Sequence, residues 1–125
     1  MLVLLLVIAL IAASMLRVAV TYRDRTRSQE RAMQSELLAD AGVDRAYARL
    51  AEDPSYRGER WDIPAEALGL AATGPGAGPA AVVRIRVESD SPGGASRMLR
   101  VQADYPPDEP RRVRSSREIA LSDTP

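Results

Sequence analysis

Residues 1–52 read MLVLLLVIALIAASMLRVAVTYRDRTRSQERAMQSELLADAGVDRAYARLAE, and they contain no proline and no glycine before Gly42. Residues 1–16 carry no charge and are almost entirely Leu, Val, Ile, Ala and Met; beyond Arg17 the chain turns polar without any signal that would stop a helix. An α-helix rises ~1.5 Å per residue, so 52 residues would extend about 78 Å, too long to be buried inside a domain of this size. The sequence therefore predicts one helix that is first membrane-like and then water-facing. Spanning hydrocarbon takes ~20 apolar residues, and residues 1–22 approach that length if Arg17 extends its methylenes toward the interface and Tyr22 sits there. A cleaved secretory signal would show a basic segment ahead of the apolar core. The chain begins directly in the apolar run, which favours an uncleaved anchor. Three segments follow: residues 1–22 as a transmembrane helix, 23–53 as its amphipathic continuation, and 54–125 as a small sheet domain.

The continuation has a readable face. Ala32, Ala39, Val43, Ala46 and Leu50 recur at helical spacing with Gly42 beside them, a stripe of small apolar groups on one side of a 3.6-residue helix. Small side chains let a sheet approach closely, so Ala39, Gly42, Val43, Ala46 and Leu50 are the expected helix–sheet packing residues. Glu36, Asp40 and Asp44 make an acidic line at i, i+4 spacing along one flank. Like charges so placed disfavour an isolated helix by a few tenths of a kcal/mol per pair (~0.2–0.5), so the line gains nothing locally. With Arg23, Arg25, Arg27 and Arg31 it forms the candidate set of subunit contacts, acids of one copy meeting arginines of a staggered neighbour; a merely solvated face is the plainer alternative.

Proline at 54 ends the helix, because it disfavours helical geometry at Asp53 and donates no amide. Beyond it the pattern is β-structure: a strand at 57–63, one helical turn at 64–68, a loop at 72–79, and sharp alternation at 81–88, where Val83, Ile85 and Val87 face one way. Turn residues at 90–94 lead to a second alternating run at 98–105, completing a hairpin. A weaker strand at 112–121 places Arg117 on the same face as Val113, Ile119 and Leu121, which marks an edge strand or a bulge. Together these predict an α+β fold, a long N-terminal membrane-anchored helix packed by its C-terminal half on an antiparallel sheet of about four strands.

Composition excludes much chemistry. There is no cysteine and no histidine, and all 17 basic residues are arginine, balanced by 17 acids. Ser-His-Asp, Cys-His, thiolate-zinc, Schiff-base-lysine and P-loop-lysine sites are thereby ruled out, and net neutrality gives no nucleic-acid footprint. The chain is expected not to be an enzyme, to use no cofactor, and to bind no small-molecule substrate. Asp90, Asp104, Asp108 and Glu109 lie around the loops as oxygen ligands for a hard cation, although without an EF-hand spacing solvation is the expected fate of such acids. Trp61 is the single tryptophan and is expected to cap the core where helix and sheet meet, with an interface anchor as the alternative.

The apolar opening MLVLLLVIALIAA, the arginine-rich helix after it and the segment LLADAGVDRAYARL at 37–50 resemble minor pilins and pseudopilins of type IV pilus and type II secretion systems. Ala39-Asp-Ala-Gly42 stands where that superfamily often has an Ala-Glu-Ala-Gly-like segment. The resemblance implies a structural subunit in the bacterial inner membrane, single-pass, with its C-terminal domain outside the cytoplasm and other pilin-like subunits or secretion-machine proteins as partners. The family's glycine-ended basic leader and the glutamate at the fifth mature position have no counterpart here; a late start codon accounts for the first, and a minor, tip-type subunit for the second. Charge points the other way on topology, since the arginines that follow the apolar run would by the positive-inside rule lie in the cytoplasm. The alternative function is a single-pass membrane protein whose small domain binds or regulates a partner without polymerising.

Overall fold

The structure is a computed structural model that describes residues 1–71, 74, 76–89, 92 and 96–122. One helix, α1, runs from Leu2 to Glu52 over 51 residues. The chain divides into two compact units, Met1–Glu30 and Arg31–Pro125. Within the second unit the helix from Ser35 onward shares its buried side chains with the strands. In the first unit every residue is exposed, and its apolar side chains include Leu2 at 85% and Met15 at 70% exposure. The most apolar 18-residue window of α1 has a mean hydropathy of 2.7 and none of it is buried. By length and composition this one helix can cross a membrane, a property that a signal sequence would share.

At its C-terminal end α1 stops as the proline predicts. The Asp53 amide still donates to the Arg49 carbonyl at 2.8 Å, and the Asp53 carboxylate then accepts from the Ser55 amide at 2.9 Å and its hydroxyl at 2.6 Å. This side-chain turn redirects the backbone where the helical ladder ends. The chain enters β1 (Gly58–Ile63), then a single 3-10 turn at Ala65–Leu68, β2 (Ala81–Ser89), β3 (Ser96–Asp104) and β4 (Arg114–Ser122). Gly58 has φ 131, and an added Cβ would collide with the Ile85 carbonyl of the neighbouring strand, so only glycine fits there.

The sheet has four antiparallel strands in the order β1-β2-β3-β4. The α+β arrangement expected from the pattern is thus observed. The turn expected at 90–94 lies outside the described residues apart from Pro92, as does part of the 72–79 loop, but the hairpin it joins pairs from Val82↔Asp104 to Ser89↔Arg97. The last strand begins two residues later than expected. Val113 nevertheless exchanges both backbone hydrogen bonds with Tyr105, at 2.9 and 3.2 Å, so the ladder extends one pair beyond the strand. β4 is an edge strand with an unbroken register, which decides between the two alternatives raised by Arg117.

One face of the sheet carries the core: Ile63, Ala81, Val83, Ile85, Val87, Leu99, Val101 and Ala103, with Leu38, Ala39 and Ala46 from the helix. These side chains come from alternate strand positions, as the period of two requires. Gly42 is where helix and sheet approach most closely; a Cβ there would stand 2.7 Å from Cγ1 of both Val83 and Val101. A mid-helix glycine costs about 0.5–1 kcal/mol relative to alanine, which the close apposition of the two layers offsets.

The direction of the helix over the sheet follows from its contacts. Ser35 hydrogen-bonds Ser115 on β4, Gly42 faces β2 and β3, and Arg45 reaches Glu59 on β1. From Ser35 to Arg45 the helix climbs ~15 Å, and three strand spacings of ~4.8 Å cover the same distance. Within this unit the helix therefore crosses the strands instead of running along them.

Candidate functional site

The helix face turned to the sheet contains the residues that the stripe singled out. Ala39 and Ala46 are fully buried and Gly42 is buried, while Val43 and Leu50 are half-buried against the core cluster. Two further residues complete it, Ser35 at 0% and Leu38 at 9% exposure. Ser35 is polar, and a stripe drawn from apolar residues passes over it, yet it occupies the same arc as Ala39, Gly42 and Ala46. Its burial is balanced by the hydroxyl–hydroxyl bond to Ser115.

At the β1 end a charged cluster holds the helix in place. Arg45 Nε lies 2.6 Å from Glu59 Oε1, Arg49 Nε lies 3.6 Å from the same oxygen, and the Arg45 guanidinium stacks 4.7 Å above the Trp61 ring centroid. The hydrogen bond from Arg45 keeps the Glu59 carboxyl below its usual range. Burial, and then the Glu59 charge, push the Tyr56 hydroxyl up to about 12. Trp61 packs against the core from this margin, the position expected of a residue that caps the helix–sheet junction.

The acids and arginines expected to meet between copies are distributed unevenly. Glu36 and Asp44 are exposed and, among the described residues, have no ion-pair partner; Arg23, Arg25 and Arg27 are likewise exposed and unpaired, and Arg31 is half-buried. Asp40 has a partner within its own chain, Arg117 on β4 at 3.0 Å. Reading the acidic line as purely repulsive therefore fails at its middle member, where a residue 77 positions away supplies the opposite charge. The same pair accounts for an arginine on the inner face of the edge strand: it leans out over the sheet's rim to the helix.

Three apolar side chains share the acidic flank and are exposed, Met33 at 66%, Leu37 at 63% and Tyr47 at 46%. The sequence does not single them out, because only the position of the sheet, fixed by Ala39, Gly42 and Ala46, tells which arc remains open. Leu37 also borders a small apolar notch of about 160 Å³ with Leu68, Leu70 and Tyr105. Next to it a shallow groove of about 1020 Å³ lies between residues 76–80 and 105–111, with Pro64 and Leu70 at its wall.

On the outer face of the sheet, Asp104 is 2% exposed and sits between two guanidinium groups, Arg114 at 2.7 Å and Arg84 at 2.9 Å. Considered from sequence as a cation ligand, it instead has both oxygens occupied by arginine. Among the described residues no group of three acids, histidines or cysteines is arranged to hold a metal ion. Burial alone would raise the Asp104 carboxyl, but the hydrogen bond and charge of Arg114, followed by those of Arg84, carry it below the ordinary aspartate range. A group depressed in the folded state stabilises the fold above its unfolded value, and that contribution fades as pH falls below about 4. Asp104→Asn should cost about 1–2 kcal/mol at neutral pH, since both arginines remain 40–46% exposed and are partly served by water. Urea unfolding at pH 7 and at acid pH checks this: the difference between parent and variant should be largest at pH 7 and narrow as the pH falls, and an equal gap throughout would exclude the carboxylate as the cause.

No protein-family model, curated protein or solved structure matches the chain.

Proposed function

We propose that the chain is a pilin-like structural subunit, a minor pseudopilin of a type II secretion or type IV pilus-like machine. In this role residues 1–22 anchor it in the bacterial inner membrane and the sheet domain works outside the cytoplasm. One observation carries the proposal: a single helix, Leu2–Glu52, begins as a membrane-length apolar segment and ends by packing small residues across a four-stranded antiparallel sheet. The part of the helix that packs on the sheet runs from Ser35 to Leu50, roughly four turns at 3.6 residues each, so a helix of 51 residues, about three times that length, serves something other than the domain's own stability. Packing against neighbouring helices is such a use. The open flank supports it, since Met33, Leu37 and Tyr47 offer apolar contact while Glu36 and Asp44 offer unpaired charge. Complementary charge between copies fixes register and partner choice more than it adds affinity.

Crosslinking in the membrane tests the proposal. Glu36→Gln with Asp44→Asn should leave the folding midpoint within about 0.5 kcal/mol of the parent, because both side chains are exposed and unpaired. The yield of adducts between subunits should meanwhile fall about fivefold, reflecting roughly 1 kcal/mol of lost interaction at the contact. Asp40→Asn is a separate arm, expected to cost the domain up to about 1 kcal/mol through loss of the exposed Arg117 pair. Unchanged crosslinking in the double variant would reduce the flank to a solvated face and favour a non-polymerising membrane protein that binds a partner through its small domain.

A further inference from the structure

We infer that Arg23, Arg25 and Arg27 form a docking collar for anionic phospholipid headgroups, so that the membrane itself is a charged partner of the chain as well as its solvent. The inference rests on the membrane reading of residues 1–22. Two observations carry it. First, arginines in this protein are generally paired: eight of them beyond Arg31 lie within 4 Å of an acidic oxygen. The three collar arginines are exposed and have no acidic partner among the described residues, although Asp24 and Glu30 share their stretch of helix. An unpaired guanidinium is a strong, planar donor to phosphate, better suited to that geometry than an ammonium.

Second, their height is right. With Val20 as the last residue in hydrocarbon, the helical rise places Arg23, Arg25 and Arg27 about 4–11 Å above it. The headgroup layer is roughly 5–8 Å thick, and the field of an anionic surface extends about 8 Å further at physiological salt. All three fall inside that zone. Tyr22 stands at its lower boundary, where an amphipathic ring is favoured. Arg23 and Arg27 are four residues apart and so share one face of the helix, while Arg25 points to the other side, which distributes the donors around the helix as headgroups surround it. Net charge over residues 17–30, counting Arg17, the collar, Asp24 and Glu30, remains positive. A neighbouring copy's acids would compete for the same groups, so the lipid is the occupant while a subunit is alone in the bilayer.

The chain contains no cysteine, so Thr26→Cys introduces a unique, exposed attachment point amid the collar. The full chain, carrying an environment-sensitive fluorophore there and reconstituted as single copies in nanodiscs, is exposed to a water-soluble quencher. Discs of phosphatidylcholine are compared with discs that also contain phosphatidylglycerol. Quenching should slow about fivefold in the anionic discs, and both high salt and the combined Arg23→Gln, Arg25→Gln and Arg27→Gln variant should restore the faster rate. Because these side chains are exposed on a helix, the variant is expected to fold; circular dichroism of the same discs verifies it. Equal quenching in the two lipids, with the chain stably incorporated in both, overturns the collar and leaves the membrane anchor standing. Slowing that persists in the arginine variant also overturns it. A chain that alkaline carbonate washes off phosphatidylcholine vesicles overturns the anchor, and the collar with it.

Discussion

In a soluble fragment beginning at Arg23, Ala46→Arg is expected to lower the melting temperature by about 20 °C or to prevent folding altogether. Ala46 is 0% exposed and belongs to the cluster formed with Val83, Ile85, Leu99 and Val101. The side chains of that cluster are apolar and Glu59, on the same face of the sheet, is already held by Arg45 and Arg49, so the new side chain would have to force helix and sheet apart or remain buried with its donors unmet. Either outcome costs about 3–5 kcal/mol, a large share of the stability of a domain this small. At about 4–8 °C per kcal/mol for a 60–100-residue domain, the shift is easily read by calorimetry. Ala48→Arg is the control: Ala48 is exposed on the same helix and should change the melting point by no more than a few degrees. Equal melting of both variants and the parent would mean that the helix does not present this face to the sheet.

Gly42→Leu should also be damaging, to a smaller extent and for a different reason. Even its first carbon would stand 2.7 Å from two valine methyls, and neither Val83 nor Val101 is able to move aside within a strand at 0% exposure. Leucine is a better helix former than glycine by nearly 1 kcal/mol, so a helix acting alone would gain stability. Overpacking of so tight an interface works against that gain by about 3 kcal/mol, the upper end of the usual range, and the net expected loss is about 2 kcal/mol. The smaller substitution Gly42→Ala allows a sharper test by a double-mutant cycle. Val101→Ala removes one of the two obstructing methyls, so the pair should be less destabilised than the sum of the single changes by about 1 kcal/mol. Strict additivity would place the two residues out of contact.

The readable parts of the sequence were those set by local physics. The helix shows in its unbroken run and its stop at Pro54, β2 in the alternation of Val83, Ile85 and Val87, and the edge position of β4 in the single arginine on its inner face. What could not be read depends on partners distant in the chain. Asp104 alternates with Gln102 and Arg100 on the outer face, and nothing in its neighbourhood foretells burial; that arises across the strands, where Val82 and Arg114 flank it in register and Arg84 reaches over. Asp40 looked like one of three repelling acids because Arg117 is remote in sequence. Ser35 was hidden by its polarity, and the openness of Met33 and Leu37 follows only once the sheet has claimed the opposite arc. For the candidate site this difference is consequential, since it takes Asp40 into the domain's own structure and adds apolar contacts to the flank that remains.

Topology is the decisive measurement, because an assembly subunit of this kind requires its sheet domain outside the cytoplasm, whereas the arginines after the apolar run argue for the inside. Alkaline phosphatase, active only after export, and a fluorescent protein that matures only in the cytoplasm are each fused after Pro125 of the full chain and expressed in bacteria. The pilin-like assignment predicts phosphatase activity with a dark cytoplasmic reporter. A bright cytoplasmic reporter with inactive phosphatase would contradict it and leave a cytoplasm-facing membrane protein whose small domain serves a partner on that side.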